Sequence, residues 1–142
     1  MKQSKINKRF VYLISPKKIK NTAFYILLDN VLKLKKVSFF QLRLKRETNR
    51  NKISIGKKIK KICKKYNTKF LINDDVHLAK ELNSDGCHLG QKDMHILEAK
   101  KYLKNKIIGI TCHNSIKLAK TAIKNKADYL ALGAFYTSKT KK

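Results

Sequence analysis

Short β-rich runs alternate along this chain with segments of helical periodicity, and that alternation restricts the fold more than any other feature of the sequence. The strand candidates cover residues 10–14, 38–44, 69–72, 86–89, 107–111 and 129–132. Between them, Ile55, Ile59, Ile62 and Tyr66 fall at i, i+4, i+7 and i+11, an apolar stripe with lysines opposite. Leu118, Ala119, Ala122 and Ile123 repeat the device, and Asp93 and Asn114 stand where helix N-caps are expected. The pattern predicts repeated βα units on a parallel sheet. The only proline is Pro16 and composition does not shift along the chain, so one α/β domain over residues 1–142 is expected.

Charge narrows the function classes. The chain carries 35 Lys and Arg against 9 Asp and Glu, a formal net charge of +26. Such a balance raises nucleic-acid binding first. The positive charge, however, is nearly all lysine spread over helical segments, and the only arginines are Arg9, Arg43, Arg46 and Arg50. Base readout and stacking favour clustered arginine and aromatics, so solvated helix faces explain the charge better than a dedicated nucleic-acid surface. No apolar run approaches the ~18 residues of a membrane span, and no leader is recognisable, so a cytoplasmic protein is expected. Cys63, Cys87 and Cys112 are widely spaced without a C-x-x-C pair, which suggests small, partly buried apolar residues rather than zinc or disulfides.

In parallel α/β folds the functional groups collect where strands run into the following helices. The second strand ends Gln41-Leu42-Arg43-Leu44-Lys45, and a period of two sends Gln41, Arg43 and Lys45 to one side. A row of amide, guanidinium and ammonium suits a multiply charged anion such as pyrophosphate; a solvated edge in a lysine-rich chain is the plainer alternative. The third strand runs into Asn73-Asp74-Asp75 and the fourth into His88-Leu89-Gly90-Gln91-Lys92-Asp93. Asp74 and Asp93 could simply cap helices. Beside the basic row, they are better read as hard oxygen ligands for Mg²⁺, whose octahedron substrate phosphates and water complete. Thr111 at the end of the fifth strand could donate a hydrogen bond, and His113 could titrate, bind phosphate or serve only the loop. The segment from Gly133 to Lys142 supplies hydroxyls and lysines suited to phosphate, though chain ends are commonly polar.

Taken together and in order, Gln41 to Lys45, Leu71-Ile72-Asn73-Asp74, Asp85 to Asp93, Gly109 to His113, Ala127-Asp128-Tyr129 and Gly133 onward to Thr140-Lys141 resemble the strand-end motifs of the thiamine-phosphate synthase family. The resemblance implies a TIM (β/α)8 barrel. It also implies a Mg²⁺-dependent transferase in which pyrophosphate leaves a hydroxymethylpyrimidine and the thiazole nitrogen of a thiazole phosphate captures the resulting cation. Carried over by position, Gln41 and Thr111 would contact the pyrimidine, and Arg43, Lys45, Asn73 and Lys141 would hold the pyrophosphate. Of these, Arg43, Lys45 and Lys141 would carry catalysis by stabilising leaving-group charge. Asp74 and Asp93 would bind Mg²⁺, and Ser138 and Thr140 would hold the thiazole phosphate.

The family usually has Ser where Thr111 stands and Thr where Ser138 stands, and common prolines of the last motif are replaced by Ala134 and Thr137. About six βα units are present, so two are expected to be missing from a full barrel, with open edges at the first and sixth strands, an incomplete thiazole-phosphate pocket and weak turnover. The partners implied are the two small-molecule substrates, with no specific nucleic acid and no membrane; a homo-oligomer is compatible with this reading. A thiazole tautomerase of the same superfamily is the nearest alternative and would depend on His113 rather than on the aspartates. A basic nucleic-acid-binding module is the alternative from another class.

Overall fold

The computed structural model describes residues 10–136. Among them β1 (Val11–Ile14), α1 (Ala23–Lys33), β2 (Val37–Leu42), α2 (Asn49–Lys65), β3 (Lys69–Asn73) and α3 (Val76–Glu81) are followed by β4 (Gly86–Leu89), α4 (Ile96–Leu103), β5 (Ile107–His113), α5 (Ile116–Lys124) and β6 (Tyr129–Leu132). Each strand pairs in parallel with the next, giving a sheet in sequential order from β1 to β6. A doubly wound sheet would reverse its order partway; unbroken succession is the signature of a βα barrel. The sheet also curls. Tyr12 on β1 and Tyr129 on β6 meet across its concave side with their hydroxyl oxygens 2.7 Å apart.

The pleat decides which residues face where. Phe40, Leu42, Phe70, Ile72, Cys87, Leu89, Ile108 and Ile110 are buried in one apolar core with Leu28 and Leu32 of α1, Ile59 and Cys63 of α2, Ala79 of α3, Ala99 and Leu103 of α4 and Ala122 of α5. A fully buried Leu or Ile contributes about 1.5–3 kcal/mol, so this layer between sheet and helices is the main source of stability. The alternate residues Tyr12, Phe39, Gln41, Asn73, His88, Thr111 and Tyr129 line the concave side.

Local chemistry sets the helix limits. The Thr48 side chain accepts from Asn51 N to start α2, which ends with Lys64 and Lys65 in its last turn, favourable against the helix dipole. After α2, α3 and α5, the residues Asn67, Asn83 and Lys126 take positive φ. In each case two reversed bonds close the last turn: Asn67 N to Lys64 O with Thr68 N to Cys63 O, Asn83 N to Lys80 O with Ser84 N to Ala79 O, and Lys126 N to Ile123 O with Ala127 N to Ala122 O. The chain reuses one stop device, the Schellman motif, with little recourse to glycine.

Four expectations need correction. The second strand ends at Leu42 rather than at residue 44, because beyond Gln41 its neighbour β1 has ended: Ser15 N donates to Gln41 O, and Arg43 N then donates to the Ser15 side chain at 2.9 Å instead of to a strand. The α2 stripe is centred on Gly56, Ile59 and Cys63, with Ile55, Ile62 and Tyr66 on its half-buried flanks, because Gly56 lies close against Leu82. On α5 only Ala122 is buried, and Ile123 is 63 % exposed. The caps of α3, α4 and α5 are Asp75, His95 and Ser115, not Asp93 or Asn114.

All three cysteines are free thiols and are buried more completely than the sequence led one to expect. Burial pushes the Cys63 thiol up to about 12 and raises those of Cys87 and Cys112, so none is poised to react. No helix among the described residues is long and apolar enough to cross a membrane.

Candidate active site

The acidic residues divide by position. Asp85 and Asp128 stand just ahead of β4 and β6, where their carboxylates accept from Phe70 N and Ile108 N at 2.9 and 2.8 Å and tie the strand beginnings together. Asp75 is spent on Leu78 N at the start of α3. Asp29 takes Lys65 and Tyr66 on the helical layer. Asp74 and Asp93 are used for none of these tasks. They face one another at the opposite end of the sheet, where strands run into helices, and they line the same cavity as Gln41, Arg43, Lys45, Asn73 and Thr111.

This cavity, of about 1390 Å³, occupies the concave side of the sheet. A recess of about 510 Å³ adjoins it, sharing Lys45, Asn73, Asp74, Lys92 and Asp93 and adding Lys52. Although β2 stops early, the alternation continues through the loop: Leu42 and Leu44 are buried in the core, while Gln41, Arg43 and Lys45 turn to the cavity. The cationic row and the acidic pair therefore share one wall system, as a diphosphate site requires.

Two devices hold the acidic pair. Asp74 has φ of 65°, a left-handed conformation uncommon outside glycine and asparagine, and its N–H donates to His88 O at 2.8 Å, which fastens the end of β3 to β4. Asp93 Oδ2 accepts from Gly90 N at 2.6 Å, and a Cβ on Gly90 would stand 3.0 Å from that oxygen. Burial, then the neighbouring Asp93 carboxylate, pushes the Asp74 carboxyl above its ordinary range, with Lys45 and Asn73 pulling the other way. Two hard carboxylates pressed together, with a basic row close by, fit a divalent cation that shares substrate phosphates. Among the described residues no cluster of three or more His, Cys, Asp or Glu could hold a metal by itself.

The floor of the cavity is aromatic and hydrogen-bonded. Tyr12 stacks on Phe39, their ring centroids 5.6 Å apart, and Tyr129 stacks on His88 at 5.5 Å. Tyr12 Oη donates to Gln41 Oε1 at 2.7 Å, and Gln41 Nε2 donates to Asn73 Oδ1 at 2.7 Å. The His88 ring nitrogens meet Tyr129 Oη and Thr111 Oγ1, each at 2.8 Å. His113, at positive φ beside the irregularity in the β5–β6 pairing, also lines the cavity. Ser138, Thr140 and Lys141 lie outside the described residues.

Sequence reasoning missed Tyr12, His88 and Tyr129. The signal was present in strand parity: the period of two that turns Gln41 and Thr111 inward turns these three inward as well. Burial pushes Tyr12 up to about 12 and Tyr129 higher still, so both phenols keep their protons at neutral pH. A group whose folded pKa lies above its unfolded value stabilises below the unfolded value and loses that contribution as pH rises. Urea titrations should therefore show stability falling between about pH 10 and 12 more steeply in the parent than in Tyr12→Phe. Equal slopes would refute the burial of this hydroxyl.

Comparison with known proteins shows the family. The family model described as thiamine monophosphate synthase matches residues 11–142. The chain belongs to the thiamine monophosphate synthase family. Over 141 residues it is 71 % identical to a thiamine-phosphate synthase of Pelagibacter ubique, covering 99 % of this chain and 68 % of that protein. A thiamine-phosphate synthase of Bacillus mycoides is 42 % identical over 109 residues, which cover 75 % of this chain and 49 % of that one. Among solved structures, the thiamine phosphate pyrophosphorylase of Pyrococcus furiosus superposes with a TM-score of 0.79 at 30 % identity, over 89 % of this chain and 61 % of that chain. The chain thus spans between about half and two thirds of the length of these relatives, and the six strands among its described residues form the curved α/β half-barrel of their fold.

Proposed function

We propose that this chain acts in thiamine biosynthesis as a thiamine-phosphate synthase. It would join 4-amino-2-methyl-5-hydroxymethylpyrimidine pyrophosphate to a thiazole phosphate, giving thiamine phosphate and pyrophosphate. The carrying observation is the meeting of Asp74 and Asp93 with Arg43 and Lys45 on one cavity whose floor is Gln41, Asn73 and aromatic rings. The bond from the pyrimidine methylene to diphosphate oxygen breaks with its electrons leaving on the diphosphate, and the thiazole nitrogen lone pair forms the new C–N bond.

In this reading Arg43, Lys45 and Asn73, with Lys141 from beyond the described residues, donate to the diphosphate oxygens and stabilise charge as it accumulates there. Asp74 and Asp93 would hold Mg²⁺, which when bound supplies further neutralisation of the diphosphate. Gln41 and Thr111 orient the pyrimidine, and the rings of Tyr12, Phe39 and Tyr129 keep water from a cationic carbon. Ser138 and Thr140 are assigned to the thiazole phosphate. The three buried thiols suit a reducing cytoplasmic setting.

Equilibrium binding of the pyrimidine pyrophosphate to the 142-residue chain tests this reading without requiring turnover. Affinity should fall at least about tenfold when EDTA replaces Mg²⁺, roughly 1.4 kcal/mol, and inorganic pyrophosphate should compete. Binding indifferent to Mg²⁺ would rule the reading out.

A further inference from the structure

The hydrogen bonds on the floor of the cavity form one unbroken run across the sheet: Thr111 Oγ1 to His88 Nε2, His88 Nδ1 to Tyr129 Oη, Tyr129 Oη to Tyr12 Oη, Tyr12 Oη to Gln41 Oε1, and Gln41 Nε2 to Asn73 Oδ1. Each distance is 2.7 or 2.8 Å, and a phenol has only one proton to give. Proton counting then fixes the direction. Tyr12 spends its proton on Gln41 Oε1, so the proton between the two tyrosines comes from Tyr129. With that proton committed, Tyr129 oxygen accepts from His88, which must carry hydrogen on Nδ1. In the neutral ring Nε2 is then an acceptor, and Thr111 donates to it.

The far end of the run is held as well. At that end Asn73 Oδ1 accepts from Gln41 Nε2, which sets the Gln41 amide with its oxygen toward Tyr12. Turning Gln41 alone would set two amide oxygens face to face. No single member reverses without leaving a buried polar group against a like one, and such groups are costly in a low-dielectric interior.

We propose that Tyr12, Tyr129 and His88 are positioning residues: together they hold His88 as the Nδ1–H tautomer and lock the Gln41 amide in one orientation, with an N–H and a carbonyl lone pair left to meet the edge of an aminopyrimidine. The ligand half of this statement rests on the pyrimidine reading of the site; the lock itself does not.

The test uses two-bond ¹H–¹⁵N spectra of the 142-residue chain at about pH 8, where histidine is mostly neutral. The His88 signals are identified by their loss in His88→Gln. The parent should show a pyrrole-type Nδ1 and a pyridine-type Nε2. In Tyr12→Phe, Tyr129 loses its acceptor and can turn its proton toward His88, so the ring should shift toward the Nε2–H tautomer although Tyr12 does not touch it. An Nε2–H parent, or a His88 unchanged by Tyr12→Phe, overturns the lock. In parallel, Tyr12→Phe should weaken binding of 4-amino-5-hydroxymethyl-2-methylpyrimidine about tenfold while leaving Mg²⁺-pyrophosphate within about twofold. If the tautomer behaves as stated and the pyrimidine affinity does not change, the lock stands and the assignment of Gln41 to the pyrimidine is overturned.

Discussion

Replacing Asp74 by Asn is expected to weaken Mg²⁺-dependent pyrophosphate binding by about a hundredfold, roughly 2.7 kcal/mol, while making the metal-free protein more stable. Both effects have one cause. In the absence of a cation, Asp74 and Asp93 present like charge to one another in a partly buried loop, and burial and the Asp93 carboxylate both oppose ionisation of Asp74. An amide has nearly the same shape and carries no charge, so the repulsion disappears and the melting temperature rises. The same change removes half of the carboxylate pair assigned to the cation. Calorimetric titration with pyrophosphate, with and without Mg²⁺, together with thermal melts in EDTA, reads both consequences. A loss of stability in EDTA with Mg²⁺-dependent binding intact would mean that Asp74 serves the fold and not the site.

Gly109→Ala should be strongly disruptive on the concave face, although Gly109 offers no functional group. A Cβ at this position would overlap the ring of Tyr129 at its Cζ and Cε1 atoms and its hydroxyl. Those atoms belong to a ring held on one side by Tyr12 and on the other by His88, so the ring cannot swing aside without surrendering both hydrogen bonds. Overpacking of this kind costs about 1–3 kcal/mol, on the order of 3–10 °C in melting temperature for a domain of this size. The near-ultraviolet tyrosine circular dichroism should fall with it. A variant melting within about 1 °C of the parent, with its tyrosine signal unchanged, would show that β5 and the Tyr129 ring are not in close contact.

Both cases show how unevenly the site was written into the chain. Gln41, Arg43 and Lys45 could be placed on one side from spacing alone because side-chain parity outlasts the hydrogen-bonded strand: β2 stops at Leu42, yet Leu44 is still buried and Lys45 still turns to the cavity. Asp74 and Asp93 were suggestive for their scarcity in a basic chain and for the basic row beside them, with helix capping as the rival use; Asp75, His95 and Ser115 take that work instead. Tyr12 and Tyr129 stand 117 positions apart, and strand parity turns each inward without bringing the two together. They meet only because six strands curl.

By itself the sequence determined the alternation of strands and helices, the inward or outward sense of each strand residue, and the order of strand-end motifs. These depend on neighbours within a few positions, where periods of 2 and 3.6 act directly. Tertiary structure alone decided which carboxylates cap helices or tie strand beginnings, where β2 lost its partner, and how Thr111, His88, Tyr129, Tyr12, Gln41 and Asn73 join in one directed run. Those outcomes depend on the curvature of the whole sheet and on the single proton of each hydroxyl, neither of which any local window of the chain contains.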